Sequence, residues 1–483
     1  MALVKLPRFM PDRSRFDPNA SSAIQNCRPT ASGWGPLKSL VSVSAALPTA
    51  PRGAVAVKSD SGVWKLFAGT ATNLYRIEST DYTLTEISRA TDDYSLSDGI
   101  AWRFARFGNF LIATAPGSTF PQFVDLGTTD DFANLTNATF EAALVWTAGD
   151  FLVFGQIDGD KRKLKWSGVN DMEFWTKAQR GSDEQVLPDG GDIQAGLSQA
   201  NHALIVQETT IRQMMFDPES GLTFRFVVID PERGALAPRS VVNIGPNDFV
   251  YLAKDGFYRG IEAKPIGAER VDRWFFDTCA SDEYDLVSGV ADPFDKIVWW
   301  RFADEAGTNF LLGYDWQLNE WFYSTNNATE LFAAATTGYT LSELDAFGNL
   351  GTLPYPFGSR FWQGGIPGFA GFTSDFKFGF FDGANLEALI ETEDKALNYP
   401  RRAKTGQIRV LVDADDSEVA IASKETQKGT LNFGSYLTQE SGKPYISSRV
   451  SGRWHRFRAK LPAGSSWTNA VGIDVEYGDA GAR

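Results

Sequence analysis

The chain has 483 residues, of which 43% are hydrophobic, 22% charged and 13% aromatic, and its formal net charge is −14. This length allows two or three domains, and the composition is that of a folded protein rather than a disordered one. The acidic balance argues against general affinity for nucleic acid, because binding to phosphates needs a basic surface.

Residues 1–50 are rich in proline, serine and alanine and predict an extended N-terminal arm. No apolar core follows the basic residues near the N-terminus, so we expect no signal peptide. No run of about 18 apolar residues predicts a membrane span. Cys27 and Cys279 are too few for a disulfide framework and favour a reducing compartment. We therefore expect a protein that folds in a cytosol without a membrane anchor.

From about residue 51 the chain repeats a short unit, in which one or two turn residues precede four to six apolar or aromatic residues. The units begin at residues 62, 108, 149, 201, 247 and 295. A spacing of about 40–50 residues, with several short strands in each repeat, is typical of a β-propeller. We predict an all-β fold with a propeller of about six blades over residues 51–350. A long β-sandwich is the alternative, but it gives no reason for this spacing.

The chain beyond residue 350 lacks the repeat. Prolines and glycines are frequent in residues 351–371, which predicts an irregular linker. Apolar and polar residues then largely alternate in segments such as 407–412 and 471–477. Residues 372–483 are therefore predicted to form a smaller β-sandwich-like domain, completed by the N-terminal arm.

A search for catalytic chemistry finds no convincing motif. His202 and His455 have no neighbouring histidine, cysteine or carboxylate cluster in sequence. The acidic segment 413–418 resembles the start of a calcium loop, but it lacks the required glycine, and Lys424 stands where the loop needs glutamate. A Gly-x-Ser-x-Gly nucleophile elbow is absent. We expect no catalytic site, no metal and no cofactor.

A local basic cluster consists of Arg449, Arg453, Arg456 and Arg458, with Lys460 beside them. One interpretation is a solvated strand face, which needs no partner. The other is a docking strip for an acidic neighbour or for DNA phosphates. The sequence leaves both open.

Several segments occur in the order found in one family of phage proteins. They comprise residues 25–30 and 33–36, the segment 165–175 with Trp166, Asp171 and Trp175, the segment 187–193 with Asp189 and Gly190, the segment 252–258 with Asp255 and Gly256, and residues 290–298. Together they resemble the packaged-DNA-stabilisation and tail-nozzle family of bacteriophages over about residues 20–325. The same residues also suit scaffold roles, since Asp-Gly pairs form tight turns and tryptophans bury large areas.

The resemblance implies a propeller that assembles as a hexameric ring below the head–tail adaptor, extends the DNA channel, and retains or releases packaged DNA. Its implied partners are further copies of the chain, the adaptor, tail fibre or needle proteins, and double-stranded DNA passing through the channel. The implied location is the virion tail, assembled in the host bacterial cytoplasm. A receptor- or glycan-binding tail-tip propeller and a propeller hydrolase are the alternatives.

The net charge adds an expectation about the wall of such a channel. A basic wall would hold DNA phosphates at each contact, whereas an acidic wall would let the duplex slide. We expect an acidic lumen and weak binding of duplex DNA by the purified chain.

Overall fold

The structure is a computed structural model that describes residues 2–78, 81–90, 94–199, 202–335, 367–439 and 443–481. Nearly all regular structure in these ranges is β-strand. Seven four-stranded antiparallel units in the described ranges surround a central channel, and we number them as blades 1–7. The prediction of an all-β propeller is confirmed.

Each blade begins with the strand beside the channel and ends with the strand at its outer edge. Blade 1 contains Ala54–Lys58, Trp64–Gly69, Leu74–Ile77 and Leu84–Glu86; blade 2, Arg103–Phe107, Phe110–Thr114, Gln122–Asp125 and Ala133–Asn134; blade 3, Ala142–Ala148, Phe151–Ile157, Asp160–Trp166 and Asp183–Val186; blade 4, Ile193–Ser198, His202–Gln207, Ile211–Phe216 and Phe224–Asp230. Blade 5 contains Val242–Gly245, Asp248–Ala253, Gly256–Arg259 and Lys264–Pro265; blade 6, Ser288–Asp292, Ile297–Ala303, Asn309–Asp315 and Glu320–Thr325; blade 7, Glu330–Ala335, Pro367–Phe372, Lys377–Phe380 and Val41–Ala46.

The six repeats of the sequence correspond to the second strands of blades 1–6. These strands are apolar because neighbouring blades cover both of their faces, as the nearly complete burial of Phe151–Ile157 illustrates. Blade 7 falls outside the repeat because residues 336–366 separate its second strand, Pro367–Phe372, from its first, and its outermost strand, Val41–Ala46, comes from the N-terminal region. That strand closes the ring, since blade 7 packs against blade 1.

Close approach between blades requires a glycine at one position in particular. The buried Trp146 of blade 3 lies over Gly196 on the first strand of blade 4. A Cβ atom at residue 196 would lie 2.0 Å from Trp146 Cδ2, so no side chain fits there. The glycine thus lets a large aromatic side chain fill the space between two blades.

Helical structure is limited to short segments in the described ranges. These are the α-helix Asp272–Thr278 and the 3-10 turns Pro218–Ser220 and Tyr284–Leu286. Asp12 of the N-terminal region accepts hydrogen bonds from the backbone N–H groups of Arg273 (2.9 Å) and Trp274 (2.8 Å). The N-terminal region therefore caps a helix that belongs to the propeller.

The second domain is a sandwich of two sheets. One sheet contains Ala2–Lys5, Cys27–Pro29, Trp34–Pro36, Ala403–Val412, Ile446–Ser447, Ser451–Gly452 and Ala470–Asp479, and the other contains Ile24–Gln25, Ala388–Glu391, Glu418–Lys424, Leu437–Thr438 and Trp454–Leu461. A separate short pair joins Arg8–Phe9 to Ala20–Ser21 in parallel. Val410, Ile473, Ile421 and Phe457 belong to the apolar layer that the two sheets share.

The sandwich and the propeller are joined through one continuous sheet. Ile24–Gln25 pairs with the outermost strand of blade 6 on one side and with Ala388–Glu391 on the other. The buried Asn26 completes the joint, because its Oδ1 accepts from Ser324 Oγ (2.7 Å) and from the Thr325 N–H (3.1 Å), while its Nδ2 donates to the carbonyl of Glu387 (2.8 Å). Backbone and side chain together couple the two domains.

The boundaries of the domains differ from those that the sequence indicated. Residues 2–50 do not form a separate arm, since most of their strands belong to the sandwich and one belongs to blade 7. Residues 367–371 of the predicted linker form part of a blade 7 strand, and the rest of that linker before residue 367 lies outside the described residues. Lys377–Phe380, assigned to the C-terminal domain, also belongs to blade 7. Proline content misled here because Pro367 is the first residue of its strand, a position that tolerates proline within a sheet.

Candidate functional site

The residues of the predicted tryptophan motif stabilise one long connection of blade 3. Trp166 is buried and its indole N–H donates to the carbonyl of Gly181 (2.7 Å), while that of Trp175 donates to Met172 (2.8 Å). Asp171 accepts from the Glu173 N–H (3.2 Å) and pairs with Arg180 (3.3 Å). All three fix the loop between the third and fourth strands.

The first predicted Asp-Gly pair lies in the connection from blade 3 to blade 4. Gly190 has a φ of +85°, and Asp189 forms an ion pair with Arg212. The hydrogen bond from Arg212 lowers the pKa of the Asp189 carboxyl. Gln207 Nε2 also donates to the carbonyl of Asp189 at 2.8 Å. The motif holds a turn against the strands of blade 4.

The second Asp-Gly pair forms the hairpin turn between the second and third strands of blade 5. Tyr258 Oη donates to Asp255 Oδ2 at 2.7 Å. Gly256 has a φ of +146°, and a Cβ atom there would lie 2.3 Å from Asp272 Oδ2. Both motif residues therefore have structural roles in the described part of the chain.

The predicted docking strip is largely compensated by acidic residues of the same domain. Side chains of Trp454–Leu461 alternate between the buried layer and the outer face, where Arg456 and Arg458 lie. Arg458 Nε donates to Glu391 Oε1 (2.7 Å), and Arg456 Nη2 contacts Asp394 Oδ1 (2.8 Å). The side chains of Arg456 and Arg458 are only 15% and 29% exposed, so these two arginines are neither solvated nor available to a docking partner.

Arg449 and Arg453, the other members of the predicted strip, are exposed and precede the strand Trp454–Leu461. The structure therefore does not bring the four arginines together as one uncompensated surface.

A buried ionic cluster underlies this face of the sandwich. The side chains of Asp394 and Lys424 are 0% and 1% exposed and form an ion pair. Arg456 provides a second cation to Asp394, and Lys424 Nζ also donates to the carbonyl of Gln427 at 2.9 Å. Buried charges of this kind persist only where each has a partner, so the cluster is a structural element of the domain.

The histidines and cysteines lie apart and do not form a reactive constellation. His202 begins the second strand of blade 4, whereas His455 is buried in the sandwich, and burial lowers the pKa of both. Cys27 and Cys279 are free and buried, and burial raises the pKa of both thiols, for Cys279 to about 12. Within the described ranges, no group of three or more histidines, cysteines or carboxylates could hold a metal ion.

The acidic segment that resembled a calcium loop is bound by backbone donors. Asp413 accepts from the N–H groups of Thr468 (2.8 Å) and Asn469 (3.1 Å) and from the Thr468 hydroxyl. These hydrogen bonds lower the pKa of Asp413 to about 2. The segment is a charged connection between the strands Ala403–Val412 and Glu418–Lys424. Its Asp413 holds it by hydrogen bonds to the backbone that precedes the strand Ala470–Asp479.

The central channel of the propeller contains charged residues that sequence reasoning missed. A cavity of about 420 Å³ is lined by residues from all seven blades, including Arg103, Gln194, Arg239 and Glu330. Arg239 forms an ion pair with the buried Glu330. Burial, together with the charge of Arg239, lowers the pKa of Arg103 to about 9, so its guanidinium still carries a charge at neutral pH.

These four residues lie on separate blades and far apart in sequence, so no local sequence motif predicts that they line one cavity. They share one feature in the sequence. Each is a charged or amide residue on the first strand of a blade or shortly before it, where most residues are apolar. That signal has meaning only once the strand order around the channel is known.

No helix in the described parts of the chain has the length and apolar character needed to cross a membrane.

Comparison with known proteins gives similarity of structure alone, since no family model and no curated protein matches the chain. PorZ, a surface component of the type-IX secretion system of Porphyromonas gingivalis, is 10% identical with a TM-score of 0.35, over 86% of this chain and 52% of that chain. This chain thus spans about half the length of PorZ. A Saccharomyces cerevisiae complex of Dbp5 with Nup159 and Gle1 gives 9% identity and a TM-score of 0.39, over 73% of this chain and 96% of that chain. Kluyveromyces lactis Hsv2 is 10% identical with a TM-score of 0.26, over 54% of this chain and 82% of that chain. Similarities this weak assign neither a family nor an activity.

Proposed function

We propose that the chain is a structural protein of a bacteriophage tail, which assembles as a ring below the head–tail adaptor and extends the DNA channel. The observation that carries this proposal is the ordered series of motifs over about residues 20–325 that resembles the tail-nozzle family. Each motif is weak alone, but their common order along the chain is what a shared architecture would preserve.

The joint between the two domains supports a role as a building block. A ring subunit must hold its contact surfaces in a fixed relative orientation while load passes through the assembly. The sheet that runs from blade 6 through Ile24–Gln25 into the sandwich gives such a connection. The motif residue Asn26 hydrogen-bonds to both sides of this joint.

The outer edge of blade 4 provides a candidate surface for contact between copies. Its outermost strand, Phe224–Asp230, has exposed Val227 and Val228, and the nearby Leu222 is 62% exposed. No further strand of the described chain pairs with this edge. An apolar edge strand favours association with another chain. In our proposal this edge contacts the next subunit of the ring.

The direct test is imaging of the phage tail with an antibody to this protein, followed by determination of the symmetry of the labelled layer. We expect a ring of several copies, six by the resemblance. A single copy per virion, or a label on the fibres alone, would contradict the proposal.

Substitution of the proposed edge provides a second test. Val228→Asp should greatly reduce incorporation into tails while leaving the monomer folded, because a charge there disfavours an apolar contact. Val63→Asp is the matched control, since Val63 is 51% exposed on a turn of blade 1. Equal incorporation of the two variants would refute the role of this edge.

A further inference from the structure

The described lining of the propeller channel holds more positive than negative charge. Among the described residues that line it, the charged ones are Arg103, Arg239 and Glu330. Arg239 pairs with Glu330, whereas no described carboxylate lies within 4.0 Å of the Arg103 guanidinium. The described lining therefore carries two positive charges and one negative charge, and Glu330 pairs directly with Arg239 while it acts on Arg103 only at longer range.

The same cavity contains a buried amide without a partner. Gln194 is 7% exposed, lines the channel, and its Oε1 atom has no hydrogen-bond partner. A buried polar atom without a partner costs about 1–3 kcal/mol, so a ligand that hydrogen-bonds to this amide would remove that cost. The amide can turn to present either its oxygen or its NH₂ group to a ligand.

The lining also contains apolar side chains, among them Val55, Leu144, Val145, Leu197 and Val290. Because Arg103 is only partly exposed among them, water screens its attraction for an anion less than at an open surface. The volume of about 420 Å³ lies within the range of about 300–1,000 Å³ usual for small-molecule sites.

We propose that the propeller channel binds a small oxyanion, with the Arg103 guanidinium as the main charge partner and the Gln194 amide as a neutral hydrogen-bonding group. A guanidinium presents a planar fork of N–H donors that matches the oxygens of a phosphate or a carboxylate. The site lies within one subunit, so it does not depend on the ring or on the passage of DNA.

The test measures binding of inorganic phosphate, and separately of citrate, to the full chain by isothermal titration calorimetry. The variants are Arg103→Gln and Gln194→Leu. The control is Arg106→Gln on the same strand, because the Arg106 guanidinium contacts Asp60 at 2.5 Å on the exposed surface. Two anions are used because a guanidinium binds both phosphates and carboxylates. Saturable binding of citrate alone would identify a carboxylate ligand, and saturable binding of phosphate alone would identify a phosphate ligand.

We expect saturable binding of at least one anion with one site per chain. Arg103→Gln should weaken it by about tenfold to a hundredfold, which corresponds to the loss of charge-assisted hydrogen bonds. Gln194→Leu should weaken it less, and Arg106→Gln should leave it unchanged. Absence of saturable binding of both anions to the unmodified chain would overturn the proposal. So would unchanged affinity in Arg103→Gln, or, if that variant does not fold, in Gln194→Leu.

Discussion

Removing the central charge of the buried ionic cluster should destabilise the sandwich strongly. In Asp394→Asn the side chain keeps an oxygen acceptor, but Lys424 and Arg456 lose their shared negative partner. Lys424 is 1% exposed and would keep the neutral carbonyl of Gln427, whereas Arg456 retains the carboxylate of Glu391 at 3.7 Å. Leaving one buried charge uncompensated costs about 3–5 kcal/mol, and the remaining contact of Arg456 places this case near about 3 kcal/mol.

The assay is calorimetric unfolding of the full chain at neutral pH. The unmodified chain is expected to unfold in one transition, and a loss of about 3 kcal/mol should lower its midpoint by about 3 °C, because the midpoint of a chain of 483 residues shifts by about 1 °C per kcal/mol. The control is Asp479→Asn, whose ion pair with Arg401 has side chains 44% and 63% exposed and should be worth less than about 1 kcal/mol. Adding Lys424→Met to Asp394→Asn should recover part of the lost stability, because the unpaired buried charge of Lys424 is then removed. If Asp394→Asn matches the control, or the double variant is no more stable than the single one, the reasoning is refuted.

Three further predictions concern the helix, the pH dependence of stability and DNA. Asp12→Ala removes the acceptor for two N–H groups at the start of Asp272–Thr278 and should cost about 1–2 kcal/mol in urea unfolding; a change below about 0.3 kcal/mol would contradict the capping role. Burial raises the pKa of Asp272 to about 6, so the folded state binds its proton more tightly than the unfolded state, and the contribution of Asp272 to stability should be lost as pH rises from about 4 to about 6. The difference between Asp272→Asn and the unmodified chain in melting curves recorded across this range isolates that contribution, and an equal pH dependence of the two proteins would contradict the prediction. Because the chain carries a net charge of −14, fluorescence anisotropy should detect weak binding of duplex DNA, and submicromolar salt-sensitive binding would contradict the expected acidic lumen.

The repeat of apolar segments predicted the propeller because a blade leaves a local trace in the sequence. The second strand of each regular blade is covered on both faces, which demands a short apolar run after a turn. Blade 7 leaves no such trace, since residues 336–366 separate its first two strands and its last strand, Val41–Ala46, precedes blade 1. A period along the chain cannot detect a unit assembled from three distant segments.

Functional sites are likewise hard to predict from sequence, because ion pairs join charged residues that are distant along the chain. Arg456 and Arg458 form a visible cluster, but their partners Glu391 and Asp394 lie more than 60 positions away, so the sequence could not reveal that the charges are compensated. Arg103 is the opposite case. It belongs to no charged cluster in the sequence, and only its position in the channel identifies it as a candidate site residue. Local patterns record turns and buried strands, whereas charge balance depends on tertiary contacts.

The asparagine of the N-terminal motif gives the strictest test of how the two domains are coupled. Asn26 is buried, has a φ of +58°, and hydrogen-bonds to Ser324, Thr325 and Glu387 across the joint. Asn26→Ala removes three hydrogen bonds, leaves buried polar groups unpaired, and places alanine in a backbone conformation that asparagine tolerates better. We expect a loss of about 2–4 kcal/mol and a separation of the propeller and sandwich transitions in calorimetry.

Asn26→Gly separates the two causes of that loss. Glycine accepts a positive φ without strain, so this variant loses the hydrogen bonds alone. If the side-chain contacts couple the domains, Asn26→Gly should also separate the two transitions, although its total loss of stability should be smaller than that of alanine. If Asn26→Gly instead unfolds in a single transition like the unmodified chain, then the continuous backbone sheet through Ile24–Gln25 holds the domains together without the side chain. In that case the asparagine would serve the local turn and not the joint.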